Sequence, residues 1–281
     1  MNVAQLLNGL AAGSLFMILS SGLAMIYGLR GVANFAHGAL YMAGGSLAYS
    51  VASHLSFWPA LLIAPFGLAV IGAVLELLFF RRLQHRSHIE TGLVTFGIAM
   101  ILERVIVLIW GERTLSVAPP PGLDRTISLL GVDYPIYRLF VIGIALTLTA
   151  ALVGWLRFTR IGLHIRAASH DVETSAILGI NVDRVSLVVV CLGAALAGLA
   201  GTLAAPYVSL QPGMGAVILI NVLIIVVVGG VGSIGGAMGA GMALGVLQTL
   251  GAVWAPIVAV LVPYVALVVV LFLVQSSGSV K

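Results

Sequence analysis

Charged residues are absent from three long stretches of the chain. No Asp, Glu, Lys or Arg occurs in 1–29, 31–75 or 185–280. Each stretch exceeds the roughly 20 apolar residues that a helix needs to cross a hydrocarbon core of about 30 Å. Only 8% of the residues are charged and 61% are hydrophobic, whereas soluble domains carry about 25% charged residues. The sequence therefore predicts an all-α integral membrane protein.

Polar stops divide the chain into nine apolar segments, so we expect a polytopic bundle of eight or nine transmembrane helices. The count depends on the glycine-rich run 229–236, which could form a turn, a broken helix or a re-entrant loop. We expect one transmembrane domain over 1–281, with long loops at 111–137 and 158–184. The apolar segments are 6–29, 38–56, 58–80, 91–110, 139–156, 185–206, 216–229, 237–253 and 256–274.

The distribution of basic residues predicts the orientation. Nine of the 13 Lys and Arg residues fall on one side of the predicted spans, three on the other, and Arg104 lies within a span. Cytoplasmic loops carry the excess of Lys and Arg, so the larger set is expected in the cytoplasm, with the N-terminus and the loop 111–137 outside. The larger set is Arg30, Arg81, Arg82, Arg86, Arg157, Arg160, Arg166, Arg184 and Lys281; the smaller is Arg113, Arg125 and Arg138.

Sequence motifs for catalysis or cofactor binding are missing. The stretch 230–235 fits G-x-G-x-x-G, but no acidic residue follows it, as a dinucleotide site requires. The chain's only lysine is its last residue, so the phosphate-binding G-x-x-x-x-G-K-[ST] motif is absent, as is metal-ligand spacing. We therefore expect no enzyme activity, no cofactor and no metal, and interpret the run as a helix break formed by Gly229, Gly230, Gly232, Ser233, Gly235 and Gly236.

Charged residues inside the predicted spans are few. Glu103 and Arg104 are adjacent and point about 100° apart, so they neutralise each other poorly. A structural or assembly role is favoured over an ion path, because an ion-driven carrier would usually show several buried acidic or His groups along one route. Glu76 lies near the end of another span.

A polar break separates the first two apolar segments. Asn34, Phe35, His37 and Gly38 bring an amide, an aromatic ring, an imidazole and a glycine together within five residues. Polar groups at such a break can satisfy freed backbone groups, which is the structural interpretation, or line a translocation pathway.

The loop 158–184 is far longer than a connection between two spans requires. Interpreted as one helix, its residues Ile165, Ala168, Val172, Ala176 and 178–180 form an apolar face beside a charged one, and Gly179 suits a helix stop. A lipid-binding helix would carry more Lys and Arg and larger apolar residues. The sequence therefore favours a surface that docks a soluble protein.

Four motifs make the chain resemble the permease subunits of ABC importers for branched-chain amino acids, specifically the LivH-type subunit. The similarity covers nearly the whole length. It rests on NFAHG at 34–38, TRIGLHIRAASHDVETSAILGINVDR at 159–184, ALAGLAGTL at 195–203 and VVGGVGSIGGAMGAG at 227–241.

The resemblance implies a role for the cytoplasmic loop and a set of partners. In such importers the loop carries a coupling helix that docks on an ATPase subunit, and the break around Asn34 and His37 lies near the translocation path. The implied partners are a second homologous permease, two ATP-binding subunits and a periplasmic binding protein, in a bacterial cytoplasmic (inner) membrane. The matching residues are Gly162, Arg166, Ala167, Asp171, Ala176, Gly179 and Ile180, followed by Asn181, Asp183 and Arg184.

Departures from the family pattern bear on the substrate more than on the class. Gly235 stands where relatives often carry proline, the segment after Glu76 lacks the usual proline, and the tail 275–278 lacks the usual Pro-x-Gly. Branched-chain or other hydrophobic amino acids are the expected cargo, with urea, short amides or small organic acids as the alternative. A stand-alone ion-coupled carrier or channel is the second hypothesis.

Overall fold

A computed structural model of the chain describes residues 3–84, 86–129 and 131–276. Helices dominate, and one β-hairpin lies in the loop after α5. The helices are α1 (Val3–Arg30), α2 (His37–His54), α3 (Phe57–Leu75), a π-helical turn (Glu76–Phe80), α4 (Arg81–Leu83), α5 (His88–Trp110), α6 (Ile136–Phe158), α7 (Arg160–His170), α8 (Val172–Ile177), α9 (Val182–Ala204), α10 (Met214–Val228), α11 (Ile234–Trp254), α12 (Pro256–Ala259) and α13 (Val262–Ser276); the strands are β1 (Thr126–Leu129) and β2 (Val132–Pro135).

The predicted all-α polytopic membrane fold is confirmed. Within the described residues, six helices are long and apolar enough to cross a membrane: α1, the continuous segment Phe57–Leu83, α5, α6, α9 and α11. Two apolar helices, Met214–Val228 and Val262–Leu273, are shorter. Each of the nine predicted apolar segments overlaps a helix, and the last is divided between α12 and α13. The number of spans, eight or nine, stays a prediction.

Polar side chains fix where several helices begin. At α5 the Ser87 hydroxyl accepts a hydrogen bond from the Glu90 amide, and the Glu90 carboxylate accepts one from the Ser87 amide. These paired bonds satisfy backbone donors that have no partner within the helix. Single caps of the same kind start other helices, at Thr159, Asp171, Asn181 and Ser233.

The first helix is the centre of the bundle and packs against α9 and α11. Its contact with α11 is antiparallel, since Gly9 lies against Val246 and Gly28 against Gly232. A Cβ atom on Gly245 would overlap the backbone of Gly13. Lipid tails give helices no hydrophobic reason to associate, so this close backbone approach supplies the packing energy.

We expect Gly245→Ala to destabilise the protein by about 1–3 kcal/mol, because the added methyl group has no space between α1 and α11. Thermal unfolding in mild detergent measures the change as a lower melting temperature. Gly239→Ala is the matched control, because it lies in the same helix with nothing within 4 Å of its Cβ position. Equal melting temperatures for the two variants would contradict this packing.

Basic residues gather at one end of the bundle, here called the basic end. Arg30 and Arg81 reach the start of α9, Arg30 and Arg86 line one cavity, and Arg166 reaches the end of α6. Four residues of the larger predicted basic set therefore lie at the same end of the bundle. Lys281 and the end of the tail 275–278 lie outside them. Which end faces the cytoplasm stays a prediction.

Two non-helical segments enter the bundle from opposite ends. Residues 31–36 lead from Arg30 back into the bundle, so that His37 starts α2 beside Leu19 of α1. Leu19 lies about 16 Å from Arg30 at a rise of about 1.5 Å per residue. From the other end, 205–213 leads to Gly215, which packs against Gly38. The first turns of α2 and α10 therefore meet inside the bundle.

The glycine-rich run forms a tight turn, one of the three alternatives that its sequence allows. Gly230 and Gly232 adopt φ angles of 93° and 79°, which glycine reaches without steric cost. Ser233 then caps α11, which already contains Gly235 and Gly236. The backbones of Gly229 and Gly236 touch, so a side chain at either position would separate the two helix ends.

Candidate functional site

The loop at the basic end is anchored by α7. Ile165 and Ala168 are buried there and pack, together with α1, α6 and α9, in one apolar cluster. Gly162 lies so close to the carbonyl of Leu156 that a Cβ atom would overlap it. Arg166 donates a hydrogen bond to the same carbonyl. The first half of the loop is therefore fixed to the bundle.

The prediction of one helix through this loop is wrong, because Asp171 interrupts it. Asp171 has extended backbone angles, and its carboxylate accepts hydrogen bonds from the Thr174 amide, at 2.9 Å, and hydroxyl, at 2.5 Å. These bonds hold the pKa of the exposed Asp171 carboxyl below its usual value. Ile165 and Ala168 consequently face the bundle, whereas Val172 and Ala176 are exposed.

The second half of the loop ends in an exposed apolar surface. Ile177 is 85% exposed and Leu178 is 76% exposed. Gly179, with a φ of 86°, turns the chain after α8, and the Ile180 amide donates to the Ser175 carbonyl at 3.0 Å. We call this surface the docking tip; it consists of Val172, Ala176, Ile177 and Leu178.

Behind the docking tip, Arg30 links three helical segments through hydrogen bonds. It donates to the carboxylate of Glu76, to the Ser186 hydroxyl at 2.6 Å and to the Phe80 carbonyl at 2.7 Å. Glu76 begins the π-helical turn and is 1% exposed. A charge at such depth needs a partner. We call Arg30, Glu76 and Ser186, with the Phe80 carbonyl, the arginine hub.

A second ion pair lies nearer the surface. Arg81 binds Asp183, and its Nε atom lies 2.9 Å from the carboxylate. Asp183 lies near the end of the loop 158–184, in the first turn of α9, so this pair joins the loop's end to the end of the segment that contains the π-helical turn. A cavity of about 480 Å³ lies between these groups and the loop, lined partly by Arg30, Arg86, His88, Glu173 and Asp183.

The break at 34–38 is fastened by its own polar groups. The Asn34 side-chain oxygen accepts from the Ala36 amide at 3.0 Å, and the Thr95 hydroxyl accepts from the Phe35 amide at 3.2 Å. Nε2 of His37 lies 3.0 Å from the Leu19 carbonyl. Asn34 and His37 are buried, and Gly38 has room only for hydrogen against Gly215. These contacts satisfy freed backbone, and a pathway role for the four predicted residues stays a prediction.

A cavity of about 640 Å³, here called the upper cavity, opens near the other end of the bundle. The first half of α1, the segment 205–213 and the start of α10 enclose it. None of the four residues predicted at the polar break lines it. Tyr41, one turn further along α2, does. Sequence reasoning missed this site, because its walls come from segments far apart in the chain.

Glu103 and Arg104 do not pair with each other among the described residues. Glu103 is half-buried, with its carboxylate near Gly213, whereas Arg104 is exposed on the surface of α5. No group of three or more His, Cys, Asp or Glu side chains with metal-binding geometry occurs in the described parts of the chain.

Comparison with known proteins decides the family. Residues 5–274 match the family described as "Branched-chain amino acid transport system / permease component". The chain belongs to this family. The permease is thus a multi-pass membrane protein of amino-acid transport, and the resemblance seen in the motifs is confirmed.

Relatives of the permease share about a quarter of its residues. It is 28% identical to the high-affinity branched-chain amino acid transport system permease protein BraD of Pseudomonas aeruginosa, over 88% of this chain and 85% of BraD. It is 27% identical to LivH of Escherichia coli, described in the same words, over 98% and 94%. A probable branched-chain amino acid transport permease protein LivH of Methanocaldococcus jannaschii is 26% identical over 84% and 77%.

The fold of the permease also resembles a solved structure. PsaBC from Streptococcus pneumoniae in complex with Fab matches with a TM-score of 0.53 and 12% identity, covering 94% of this chain and 89% of that chain. At this identity the match supports the architecture of the bundle alone.

Proposed function

We propose that the permease is the membrane subunit of an ATP-driven ABC importer for branched-chain or other hydrophobic amino acids. It contains no ATP-binding motif of its own, so hydrolysis would take place on two partner subunits. A second homologous permease and a periplasmic binding protein would complete the importer. The subunit would be a single domain over 1–281 in a bacterial cytoplasmic (inner) membrane, with its N-terminus and the loop 111–137 outside.

The docking tip is the observation that carries this proposal. An apolar side chain as exposed as Ile177 or Leu178 costs free energy in water, which burial against a partner protein recovers. In the predicted orientation the tip faces the cytoplasm, where ATPase subunits are found. The predicted coupling residues lie in both halves of the loop. Gly162, Arg166 and Ala167 belong to the half that is fixed to the bundle. The exposed half, which contains the docking tip, holds Asp171, Ala176, Gly179 and Ile180.

The mechanism proposed is mechanical. Closure of the ATPases would push the docking tip, and the anchored α7 would pass the motion to α1, α6 and α9, which share its apolar cluster. The arginine hub and the Arg81–Asp183 pair would carry it to the end of α3. Asn34, Phe35, His37 and Gly38, at the junction of α2 and α10, would then shift with the pathway. Specificity would lie largely in the binding protein.

Co-purification tests the proposal. The tagged permease is solubilised gently from native membranes, and the proteins that accompany it are identified by mass spectrometry. We expect an ATPase and a second permease, with the ATPase lost from an Ile177→Asp, Leu178→Asp variant. A permease that emerges alone from several mild detergents, and transports in liposomes without ATP, would favour the stand-alone carrier instead. Uptake of urea, a short amide or an organic acid would change the proposed cargo and leave the proposed class, an ABC importer, unchanged.

A further inference from the structure

The upper cavity has a size suited to a small ligand. Its volume of about 640 Å³ falls within the roughly 300–1,000 Å³ typical of ligand pockets. Leu15, Phe16 and Leu19 of α1 form one wall, and Val217 and Ile218 of α10 form the facing wall. These walls offer an aliphatic side chain an apolar environment on two sides.

Tyr41 brings a polar group to the cavity. Tyr41 is 3% exposed and lines the cavity, and its hydroxyl forms no hydrogen bond to any residue in the described part of the chain. Because the Tyr41 side chain lines the cavity, its hydroxyl can form a hydrogen bond with a ligand held there.

The start of α10 supplies positive potential to the same cavity. Gly213 and Met214 line it, Gly213 is left-handed with a φ of 83°, and no side chain caps this helix end. The Met214 and Ala216 amides already donate to the Gln211 and Gly213 carbonyls, so this helix end favours an anion mainly through its partial positive charge. Arg138, which does not line the cavity, places its Cζ atom 5.3 Å from the ring centre of Tyr207, another lining residue.

We propose that this cavity is a binding pocket for a free hydrophobic α-amino acid on its way through the permease. The carboxylate lies at the first turn of α10 and accepts a hydrogen bond from the Tyr41 hydroxyl. The side chain lies between Leu19 and Ile218, and the Gln211 carboxamide, also in the lining, accepts from the ammonium group. The pocket rests on the proposed transport function and adds to it the place where the substrate is held.

Glu103 gives the main alternative. Its carboxylate approaches Gly213 from α5, outside the cavity lining, and forms no hydrogen bond to the first turn of α10 among the described residues. If the Glu103 carboxylate already neutralised the partial positive charge at the start of α10, a substrate carboxylate would gain little electrostatic stabilisation there. In the pocket proposed, Glu103 instead competes weakly with the substrate, so its neutralisation strengthens binding.

Cysteine protection in the complete importer tests the pocket. Cys191, the only cysteine of the chain, is replaced by Ala, and Met214→Cys serves as reporter for a small charged thiol reagent in nanodiscs. We expect leucine to slow labelling, and 3-methylbutylamine, which lacks the carboxylate, to have no effect at equal concentration. Ser53→Cys, near the end of α2 outside this cavity, is the control reporter, with labelling unchanged by either compound.

Two further variants decide which groups hold the carboxylate. Tyr41→Phe is expected to raise the half-protecting leucine concentration about tenfold, the loss of one hydrogen bond to a charged group. Glu103→Gln is expected to lower it several-fold. Equal protection by the amine, or no change in Tyr41→Phe, would overturn the pocket as an amino-acid site. Labelling that is already blocked without leucine, and restored when the lipid is changed, would show a lipid chain there instead and also overturn it.

Leucine uptake by the same importer in liposomes separates this inference from the function beneath it. Uptake without protection of Met214→Cys would overturn the pocket and leave the transport proposal intact. Protection without uptake would contradict transport while the pocket stood as a binding site.

Discussion

Ile177→Asp combined with Leu178→Asp is expected to abolish ATP-driven uptake and to leave the permease folded in the membrane. Both side chains are largely exposed, so their replacement removes few contacts within the permease. Two carboxylates on the docking tip would have to be desolvated on contact with an ATPase, at a cost of several kcal/mol. Each 1.4 kcal/mol is tenfold in affinity, so the ATPase should dissociate.

Uptake, ATPase co-purification and melting temperature are measured on the same preparations of this variant. Leu163→Asp is the matched control, because Leu163 is an exposed apolar residue of the anchored helix α7 outside the docking tip. We expect the control to retain the ATPase. Normal uptake by the double variant would remove the docking tip from the coupling pathway.

Arg30→Met is expected to destabilise the permease by about 3–5 kcal/mol, because it leaves the buried Glu76 carboxylate without its partner. Replacing both residues, Arg30→Met with Glu76→Leu, should recover most of that stability, because an apolar pair of similar volume avoids the cost of burying charge. Thermal unfolding in mild detergent measures both.

The second ion pair provides the matched control for the hub. The Arg81 and Asp183 side chains are 46% and 37% exposed, and exposed pairs contribute about 0–1 kcal/mol. Arg81→Met should therefore change the melting temperature little. Equal losses of stability in the Arg30→Met and Arg81→Met variants would contradict a larger contribution of the buried arginine hub.

The double variant of the hub also separates stability from transport. In the proposed mechanism the hub transmits motion through hydrogen bonds to the Ser186 hydroxyl and the Phe80 carbonyl, which Met cannot make. We expect the double variant to melt near the wild-type temperature yet to transport slowly. Uptake by the double variant at the wild-type rate would show that the hub has a structural role and does not transmit motion.

The membrane helices could be predicted from the sequence, because long uncharged stretches and single polar stops are local signals. Gly179 was predicted as a helix stop, and its φ of 86° fits that role. The gathering of basic residues at one end was also predictable, because orientation depends on charge near the ends of spans.

Features made by distant residues could not be predicted. Arg30 and Glu76 each looked like an isolated charge at the end of a span, and only the folded bundle brings them together. The re-entry of 205–213 depends on space beside α2, where Gly45 lets Leu210 approach. The helix is interrupted at Asp171 because the local cap formed by its side chain outweighs the apolar periodicity that favours one continuous helix. The apolar pattern alone does not show which effect is stronger.

ATP-driven uptake by the purified importer tests whether the permease works as an ABC importer subunit. The complex that co-purifies with the permease is placed in liposomes with its binding protein, and radiolabelled leucine is measured with ATP supplied on the side of the docking tip. We expect uptake that requires ATP hydrolysis and continues when a protonophore collapses the proton gradient. Uptake that is indifferent to ATP and stops with the protonophore would contradict the ABC importer function.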